Sequence, residues 1–394
     1  MSPAARLRLF YFLYYGAVGA NLPYFAAYLR GLGFSGEQIG TVQMMGPIVA
    51  APVAIAWATV ADRLGAPSRT LAFAALWSVA AAAFLPVARA PLALAAVVLF
   101  QSLGERAVVP LVDSVTLEWT RAHPGTSYAR VRLFGSLGFI ALAEGLGLLL
   151  SARGDRPGDV AVPAAVLACV AGYALAARRL PAPPLHVARA SAKQALALAR
   201  DPRLALVLAA CAVHWMSCAP FHLMFGVFIR DLGLPSKVTG IAMAVGVGAE
   251  VVGLLAFPRL ERRLGVRALF ALAFAGTAVR WLLLSRVHGV APIVLLQLLH
   301  GLTFGVFWGA SMRALAERVP PALRSTGQAL YSAVVFGGGN AVGYQLSGIG
   351  YDRFGGVGPL FGVAGAVEAV LLVVTLAVPG PARAAPPGQA ASNG

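Results

Sequence analysis

Residues 101–140 are for the most part apolar enough to enter a membrane, yet they carry several ionisable side chains. Among these are Glu105, Arg106, Asp113, Arg130 and Arg132. A charged side chain at the centre of a bilayer helix costs about 2.5–3.5 kcal/mol on insertion scales, and such residues usually face a water-filled cavity or a binding site. We therefore expect this stretch to line a water-accessible cavity.

The first half of the stretch places its polar residues on one helical face. The members of that face recur at steps of four and three residues and are Ser102, Arg106, Val109, Asp113 and Thr116. Arg106 and Asp113 are two turns apart, about 10.5 Å along the helix axis, so each needs its own partner on another helix or water. Glu105 lies about 100° round the helix from Arg106, so it faces either the same cavity or a neighbouring helix.

The second half of the stretch begins a new helix that carries two arginines. Arg132, Ser136 and Phe139 share one face of that helix, whereas Arg130 points elsewhere. We interpret Arg130 as an anchor of the helix end at the membrane surface. For Arg132 the spacing leaves two roles open, the same anchoring role or a position in the cavity.

The composition is that of a membrane protein. Of the 394 residues, 59% are hydrophobic and only 12% are charged, about half the charged fraction of an ordinary soluble domain. Twelve apolar windows are each about long enough to cross a hydrocarbon core of about 30 Å as a helix. They cover residues 9–30, 38–60, 70–88, 92–118, 130–151, 160–177, 204–229, 238–258, 268–285, 291–312, 325–349 and 357–379. The sequence therefore predicts an all-α membrane protein with twelve transmembrane helices, and its lack of alternating segments of about ten residues excludes a closed barrel.

The net charge of +16 is distributed as in a membrane protein. If the first window starts in the cytoplasm, the outer loops hold eight of the 31 basic residues and the cytoplasmic ends and loops hold 21. This positive-inside bias predicts that both termini are cytoplasmic, and it needs no nucleic-acid partner. The three cysteines all fall inside apolar windows, so they indicate neither disulfides nor a metal site.

The chain repeats itself at an offset of 200 residues. Residues 28–40, YLRGLGFSGEQIG, align with residues 228–240, FIRDLGLPSKVTG. Paired halves with a site between them are typical of secondary transporters. We therefore predict four parts of the chain, namely an N-terminal six-helix bundle over residues 1–177, a cytoplasmic linker over 178–203, a C-terminal six-helix bundle over 204–379 and a disordered cytoplasmic tail over 380–394.

Polar side chains also lie inside the first and seventh windows. Asn21 is deep in the first window, where a cavity role and a helix-contact role are both open. Tyr11, nearer the inner interface, is interpreted as part of an aromatic belt. We interpret His214 in the seventh window as a satisfied helix contact.

Three further ionisable residues lie in the eighth, ninth and tenth windows. They are Glu250, Arg280 and His300. A buried carboxyl group can bind a proton near neutral pH, so Glu250 and Asp113 are candidates to carry a coupled proton. The structural alternative is an ion pair between Arg280 and Glu250.

The loop after the second window carries a recognisable signature. Residues 61–69, ADRLGAPSR, resemble the loop signature of the major facilitator superfamily, G-x-x-x-D-R-x-G followed by basic residues. Asp62, Arg63 and Gly65 match it, whereas Ala58 stands where the first glycine is expected. The resemblance implies a major facilitator fold with two pseudo-symmetric bundles, in which this loop holds neighbouring helices and gates a conformational switch.

The segment PLVDSVTL…YARVRLFGSLGFI resembles the branch of that superfamily that contains the phenylpropionate and lactose permeases. The resemblance implies that Asp113 and Arg132 bind substrate, and that Phe139 takes the place of an aromatic ring that stacks against a sugar. In the seventh window HWMSCAPFHLMF departs from the S-H-x-x-Y-Y pattern of the phenylpropionate relatives.

The same branch is similar to this chain in the region that couples protons. The interval of 20 residues from Arg280 to His300 matches that region, with similar sequence around both residues. Thr303, however, stands where the branch has its proton-carrying glutamate. The resemblance therefore leaves Glu250 or Asp113 as the candidate proton carrier.

These observations predict a secondary active transporter rather than an enzyme. It would move a small polar organic solute, an aromatic carboxylate, a sugar or a nucleoside, by alternating access with proton symport. The predicted substrate residues are Asp113, Arg132, Phe139, Arg106 and Asn21, and the predicted proton-coupling residues are Glu250, Arg280, His300 and Glu105. The sequence contains no H-E-x-x-H, G-x-S-x-G or P-loop motif that would indicate a membrane enzyme.

Two alternatives to solute symport stay open. One is a ligand sensor or scaffold that binds a solute without moving it, and the other is an exporter of amphipathic compounds. In each case we expect a monomer without a cofactor in a bacterial-type inner membrane.

Overall fold

The computed structural model describes residues 1–123, 125–181 and 192–377. These described residues form helices and turns, and none of them lies in a β-strand. The α-helices, in chain order, are α1 (Pro3–Asn21), α2 (Phe25–Gly31), α3 (Gly36–Leu64), α4 (Pro67–Ala82), α5 (Pro91–Arg121), α6 (Tyr128–Ala152), α7 (Ala161–Ala177), α8 (Ala192–Ala199), α9 (Pro202–Ser217), α10 (Ala219–Asp231), α11 (Ser236–Arg263), α12 (Val266–Leu284), α13 (Val290–Leu296), α14 (Phe307–Arg318), α15 (Arg324–Tyr331), α16 (Asn340–Phe354) and α17 (Val357–Ala377).

Two of the spans contain π-helical segments. One covers Gly301–Val306 between α13 and α14, and the other covers Ser332–Gly339 between α15 and α16. Short 3-10 turns cover Gln297–Leu299 and Pro321–Leu323. We call the run from α13 to α14 the tenth span and the run from α9 to α10 the seventh span.

Each predicted apolar window coincides with one helix or with consecutive helical segments. The first window is broken at residues 22–24, between α1 and α2, and the seventh is broken at Cys218. Among the described residues, eight helices are long and apolar enough to cross a membrane by length and composition. The predicted all-α membrane fold is confirmed, whereas the count of twelve spans stays a prediction that is consistent with these helices.

Local sequence signals set the ends of α3. At its start the Ser35 hydroxyl accepts a hydrogen bond from the Gln38 amide, and the Gln38 side chain accepts one from the Ser35 amide. This reciprocal capping satisfies two amides that a helix start otherwise leaves unpaired. At its end Gly65 adopts φ 56°, a left-handed conformation that glycine reaches without a steric penalty. The predicted gating loop is therefore also the C-terminal cap of α3.

The exterior is apolar and the interior holds polar groups, which is the arrangement expected in a bilayer. Large aliphatic side chains stand on the outside, for example Leu92 at 83% and Leu255 at 70% exposure. By contrast, Arg280, Gln297 and Glu368 are completely buried. Lipid solvates the exterior, so the polar groups have to find partners or a cavity inside the protein.

The helices α1 and α6 approach each other closely because glycine lies at their contact. A Cβ atom at Gly19 would collide with the backbone of Phe139, and one at Gly138 would collide with the backbone of Phe12. Small residues allow such close approach between membrane helices. As a result the tyrosines of α1 lie directly against the arginine-bearing end of α6.

The two copies of the repeat have the same turn. Gly33 after α2 and Gly233 after α10 both adopt left-handed conformations, with φ 90° and 69°. The division into bundles at residues 177 and 204 stays a prediction. A short helix, α8, lies within the predicted linker, and the predicted tail over residues 380–394 lies outside the described residues.

Candidate functional site

A cavity of about 330 Å³ lies between the two halves of the chain. The first half contributes polar groups from three spans, and the second half contributes both aromatic and polar groups. The polar and aromatic residues of the wall include Asn21, Gln101, Glu105, Arg106, Trp215, His222, Phe304, Asn340 and Tyr344. The predicted position of Glu105, Arg106 and Asn21 at a cavity agrees with this geometry, whereas their predicted roles are not tested by it.

Four polar atoms in the cavity wall are buried without a hydrogen-bond partner among the described residues. They are Asn21 Oδ1, Asn340 Oδ1, Arg106 Nε and Trp215 Nε1. A buried polar atom without a partner costs about 1–3 kcal/mol. Groups of this kind around one cavity are therefore suited to a ligand that offers both donors and acceptors.

Glycine provides the space that the Arg106 side chain occupies. A Cβ atom at Gly46 on α3 would overlap the Arg106 guanidinium and approach the Ser102 hydroxyl to 3.1 Å. Beside Arg106, the Glu105 carboxylate accepts a hydrogen bond of 3.2 Å from the Gln101 side chain. The cavity thus holds one cation and one anion on adjacent positions of α5.

Asp113 and Arg132 are linked through a tyrosine. The Tyr11 hydroxyl donates a hydrogen bond of 2.5 Å to Asp113 Oδ1, and the Arg132 guanidinium carbon lies 5.8 Å from the centroid of the Tyr11 ring. Arg132 stacks more closely on Tyr15, at 3.8 Å from that ring's centroid. The interpretation of Tyr11 as an interfacial belt residue is wrong, because its side chain is completely buried and bound to Asp113.

The Asp113–Tyr11–Arg132 group and Phe139 are outside the described lining of the large cavity. Asp113 and Arg132 are partly exposed, so both can be reached by solvent. Phe139 is partly buried and its backbone packs against Gly19. The substrate roles of Asp113, Arg132 and Phe139 therefore stay predictions.

Arg280, His300 and Glu250 form a chain rather than a direct ion pair. The Arg280 guanidinium lies 2.9 Å from His300 Nδ1 and donates a hydrogen bond of 2.5 Å to Gln297. On the other side of the ring, His300 Nε2 lies 3.7 Å from the Glu250 carboxylate. The alternative of a direct ion pair between Arg280 and Glu250 is therefore wrong, because the His300 imidazole lies between the two side chains.

The predicted gating loop lies at the end of the molecule that carries the N-terminus. Asp62 and Arg63 occupy the last turn of α3, and the Ser68 hydroxyl just beyond donates a hydrogen bond of 2.6 Å to the Pro181 carbonyl. The neighbouring Arg179 carbonyl accepts a hydrogen bond from Arg6. The role of this loop as a gate stays a prediction.

The two halves are joined at the opposite end of the molecule. There the Asp352 carboxylate accepts hydrogen bonds of 2.7 and 2.8 Å from the amides of Gly36 and Glu37, the first residues of α3. In the other direction, Asp155 Oδ1 accepts one of 3.1 Å from the Ser236 amide, the first residue of α11. Each half therefore supplies a carboxylate that caps a helix of the other half, where the helix dipole favours negative charge.

A third contact strengthens the same end. The Arg230 guanidinium donates hydrogen bonds to the backbone carbonyls of Asp155, Arg156 and Ala27. Two further hydrogen bonds between the halves lie at this end, from the Thr41 hydroxyl to Gln345 and from the Lys237 amide to Ser151. The cavity is thus closed there by polar contacts.

Several residues of the site were not found from the sequence. Trp215 and Phe304 form the aromatic part of the wall, with ring centroids 5.2 Å apart, and His222 lies beside Trp215. Glu368 on α17 is buried against His214. Glu368 could have been found from the sequence, because an acidic residue inside an apolar window by itself indicates a function. The aromatic wall residues carry no such signal.

The sequence matches the MFS_1 like family over residues 4–361, so the chain belongs to that family. It is 29% identical to the maltose permease of Geobacillus stearothermophilus over 85% of this chain and 83% of that protein. It is 26% identical to a probable 3-phenylpropionic acid transporter of Escherichia coli over 89% and 91% of the two chains. The crystal structure of the nucleoside transporter NupG superposes with a TM-score of 0.83, at 18% identity, over 96% of this chain and 99% of that chain.

The chain is therefore a membrane transporter of the major facilitator type and not an enzyme. The resemblance drawn from its loop and helix motifs is confirmed. The cavity between the halves is the place where such a transporter holds its solute.

Removal of the Asp352 carboxylate should loosen the closed end. The cap contributes about 1 kcal/mol, so Asp352→Ala should shift the equilibrium towards opening by about fivefold. Spin labels on the exposed positions Ala90→Cys and His288→Cys, in turns at that end of the two halves, would report a longer distance population. Arg353→Ala, the exposed neighbour, is the matched control, and equal distance distributions in both variants would contradict the role of Asp352.

Proposed function

We propose that this transporter moves a neutral, hydroxyl-rich solute, a sugar or a nucleoside, by proton-coupled symport. The observation that carries the proposal is that unpaired polar atoms, among them Asn21 Oδ1, Asn340 Oδ1 and Arg106 Nε, lie at the same cavity as the rings of Trp215 and Phe304. Amide oxygens accept hydrogen bonds from hydroxyl groups, and an aromatic ring packs against a sugar or a base.

The charges at the cavity favour a neutral solute over an anion. The Arg106 cation has the Glu105 anion next to it on the same helix, so the two charges offset each other. An aromatic carboxylate is the second candidate, because Arg106 Nε is unpaired and a guanidinium binds carboxylates well. The relatives named for maltose and for 3-phenylpropionic acid support either class.

Alternating access follows from the distribution of contacts between the halves. The carboxylate caps at Asp155 and Asp352 hold one end closed, and their release would let the halves rock about the cavity. We infer that Asp62, Arg63 and Gly65, at the other end, stabilise the opposite state of the two halves. We infer a monomer in a bacterial-type inner membrane with both termini in the cytoplasm, as the positive-inside bias supports.

Substitution of a cavity amide should weaken solute binding. Asn340→Ala removes one hydrogen bond, which corresponds to a Kd about five- to tenfold higher for the solute that binds. The measurement is a thermal-shift and calorimetric screen of the purified protein with maltose, uridine and 3-phenylpropionate. Gln194→Ala on α8, an exposed amide outside the cavity, is the control.

The outcome of that screen also separates the classes of function. Binding of maltose or uridine with uptake into proteoliposomes supports the proposal, and binding of 3-phenylpropionate alone favours the second candidate. Binding without uptake would instead indicate a sensor. An unchanged Kd in Asn340→Ala would remove this side chain from the site.

The Asp113–Tyr11–Arg132 group provides a separate test. Asp113→Asn and Arg132→Ala should each abolish solute binding while the protein still inserts into the membrane, because each change leaves its charged partner uncompensated. Arg130→Ala, an exposed arginine on the same helix, is the control for loss of positive charge. Normal solute affinity in both variants would exclude the group from the site.

Glu250 is the proposed carrier of the coupled proton. It is partly exposed and lies next to His300, so it can exchange protons with water and sense the Arg280 cation through the imidazole. Glu250→Gln should abolish accumulation driven by a pH gradient and leave solute exchange intact. Undiminished accumulation in that variant would exclude Glu250 from coupling.

A further inference from the structure

A carboxyl–imidazole pair lies inside the second half of the chain, behind the wall of the cavity. Glu368 on α17 and His214 on α9 are both 0% exposed, and Glu368 Oε1 lies 2.8 Å from His214 Nδ1. The Ser217 hydroxyl is hydrogen-bonded to the same oxygen. The pair is separate from the chain that joins Glu250 to Arg280 and does not line the described cavity.

The surroundings of the imidazole determine how many protons the pair holds. Nδ1 faces the Glu368 carboxyl group, and Nε2 lies 3.1 Å from the carbonyl oxygen of Thr303. A carbonyl oxygen only accepts hydrogen bonds. A neutral imidazole beside an ionised carboxylate would direct a nitrogen lone pair at one of these two oxygens. Compared with a neutral imidazole beside an ionised carboxylate, the arrangement therefore holds one additional proton, which His214 and Glu368 share.

Loss of that proton changes the partner of Nε2. The Cys218 sulfur lies 3.8 Å from Nε2, and a thiol can donate a weak hydrogen bond to a deprotonated ring nitrogen. In that state Nδ1 still lies beside the Glu368 carboxylate, at 2.8 Å from Oε1, but the hydrogen bond to Thr303 is lost. Release of one proton thus breaks a contact between the seventh and the tenth span.

This contact lies where the backbone of both spans is irregular. The helix α9 ends at Ser217, and Thr303 belongs to the π-helical segment Gly301–Val306. Such segments are frequent at functional sites. Trp215 follows His214 and Phe304 follows Thr303, and both rings line the cavity. A change in the bond between His214 and Thr303 therefore acts directly on two rings of the wall.

The other titratable and charged groups near the pair come from neighbouring helices. Cys218 adjoins the imidazole, and Arg280 on α12 lies within electrostatic range of Cys218. His222 on α10 lines the cavity and interacts electrostatically with His214. His222 is thus an ionisable group between the water of the cavity and the buried pair.

A proton fits this cluster better than a metal ion. His214, Cys218 and Glu368 do bring three ligand atoms within 4.8 Å of one another. However, the carboxylate faces Nδ1 and the sulfur faces Nε2, on different sides of the ring. One ion cannot bind a ring nitrogen, the carboxylate and the sulfur together in that arrangement.

We propose that His214 and Glu368 form a proton-binding site that controls the solute cavity through Trp215 and Phe304. Binding of a proton forms the hydrogen bond from Nε2–H to the Thr303 carbonyl, and its release transfers Nε2 to the Cys218 thiol. The affinity of the cavity for its solute then depends on pH through these two rings. This inference rests on the proposed solute transport, but the proton-binding step can be measured without any solute.

The test is a pH titration of the purified full chain, followed by infrared difference spectra and by tryptophan emission. We expect carboxyl and imidazole bands to change together with the emission of Trp215 as the pH is varied. Trp215→Phe identifies the part of the emission that comes from this ring. Glu368→Gln keeps the shape of the side chain and should lose the emission change together with the bands that belong to this pair, and His214→Gln should do the same.

Two control variants make the result decisive. Glu250→Gln and Cys218→Ala should keep the titration, because neither removes the shared proton. Loss of the signal in Cys218→Ala with its retention in Glu368→Gln would assign the titration to the thiol and overturn the proposal. A wild-type protein without any titration would overturn it too. If no solute of the screen binds, the proposed function fails, yet this titration still decides the proton site.

Discussion

The interior of this protein is governed by the absence of water around polar groups inside a membrane. Every buried donor or acceptor has to find a partner in the protein or face the cavity. Arg280 shows the first solution, since His300 and Gln297 bind its guanidinium while the rings of Phe221 and Trp281 cover it. Asn21 and Asn340 show the second, because their oxygens are left unpaired at the cavity. The need to pair buried polar groups thus shapes both the rigid interior and the polar wall of the cavity.

The same constraint explains how one end of the molecule is closed. The first amides of α3 and α11 have no partner within their own helices, and a carboxylate from the opposite half satisfies each of them. The two caps are related by the repeat of the chain, since Gly36 and Ser236 are 200 positions apart. The closing contacts are single hydrogen bonds rather than an apolar core, and each is worth about 0.5–1.5 kcal/mol. A transporter that alternates between two states requires contacts of this kind.

Much of the fold was predictable because hydrophobic length alone identifies membrane helices. Each of the twelve windows coincides with helical structure, and Arg106 lies at a cavity, as its helical face indicated, whereas for Glu105 and Asn21 the sequence left a cavity and a helix contact both open. Contacts between distant spans were not predictable, because periodicity says which face a residue occupies but not which helix faces it. For that reason Tyr11 was placed at the interface instead of on Asp113, and the partner of His214 was missed. The π-helical geometry at Gly301–Val306 depends on packing and left no signal in composition, whereas Pro220 in the first turn of α10 marks the break at Cys218.

The central claim is that the cavity carries a solute across the membrane between two halves that rock about it. The most direct measurement is uptake of radiolabelled maltose, uridine and 3-phenylpropionate into proteoliposomes that contain the purified protein, with an inward pH gradient. We expect accumulation of maltose or uridine above the level of empty liposomes, and loss of that accumulation when the gradient is collapsed. Solutes that bind at the cavity but never enter the liposomes would contradict it.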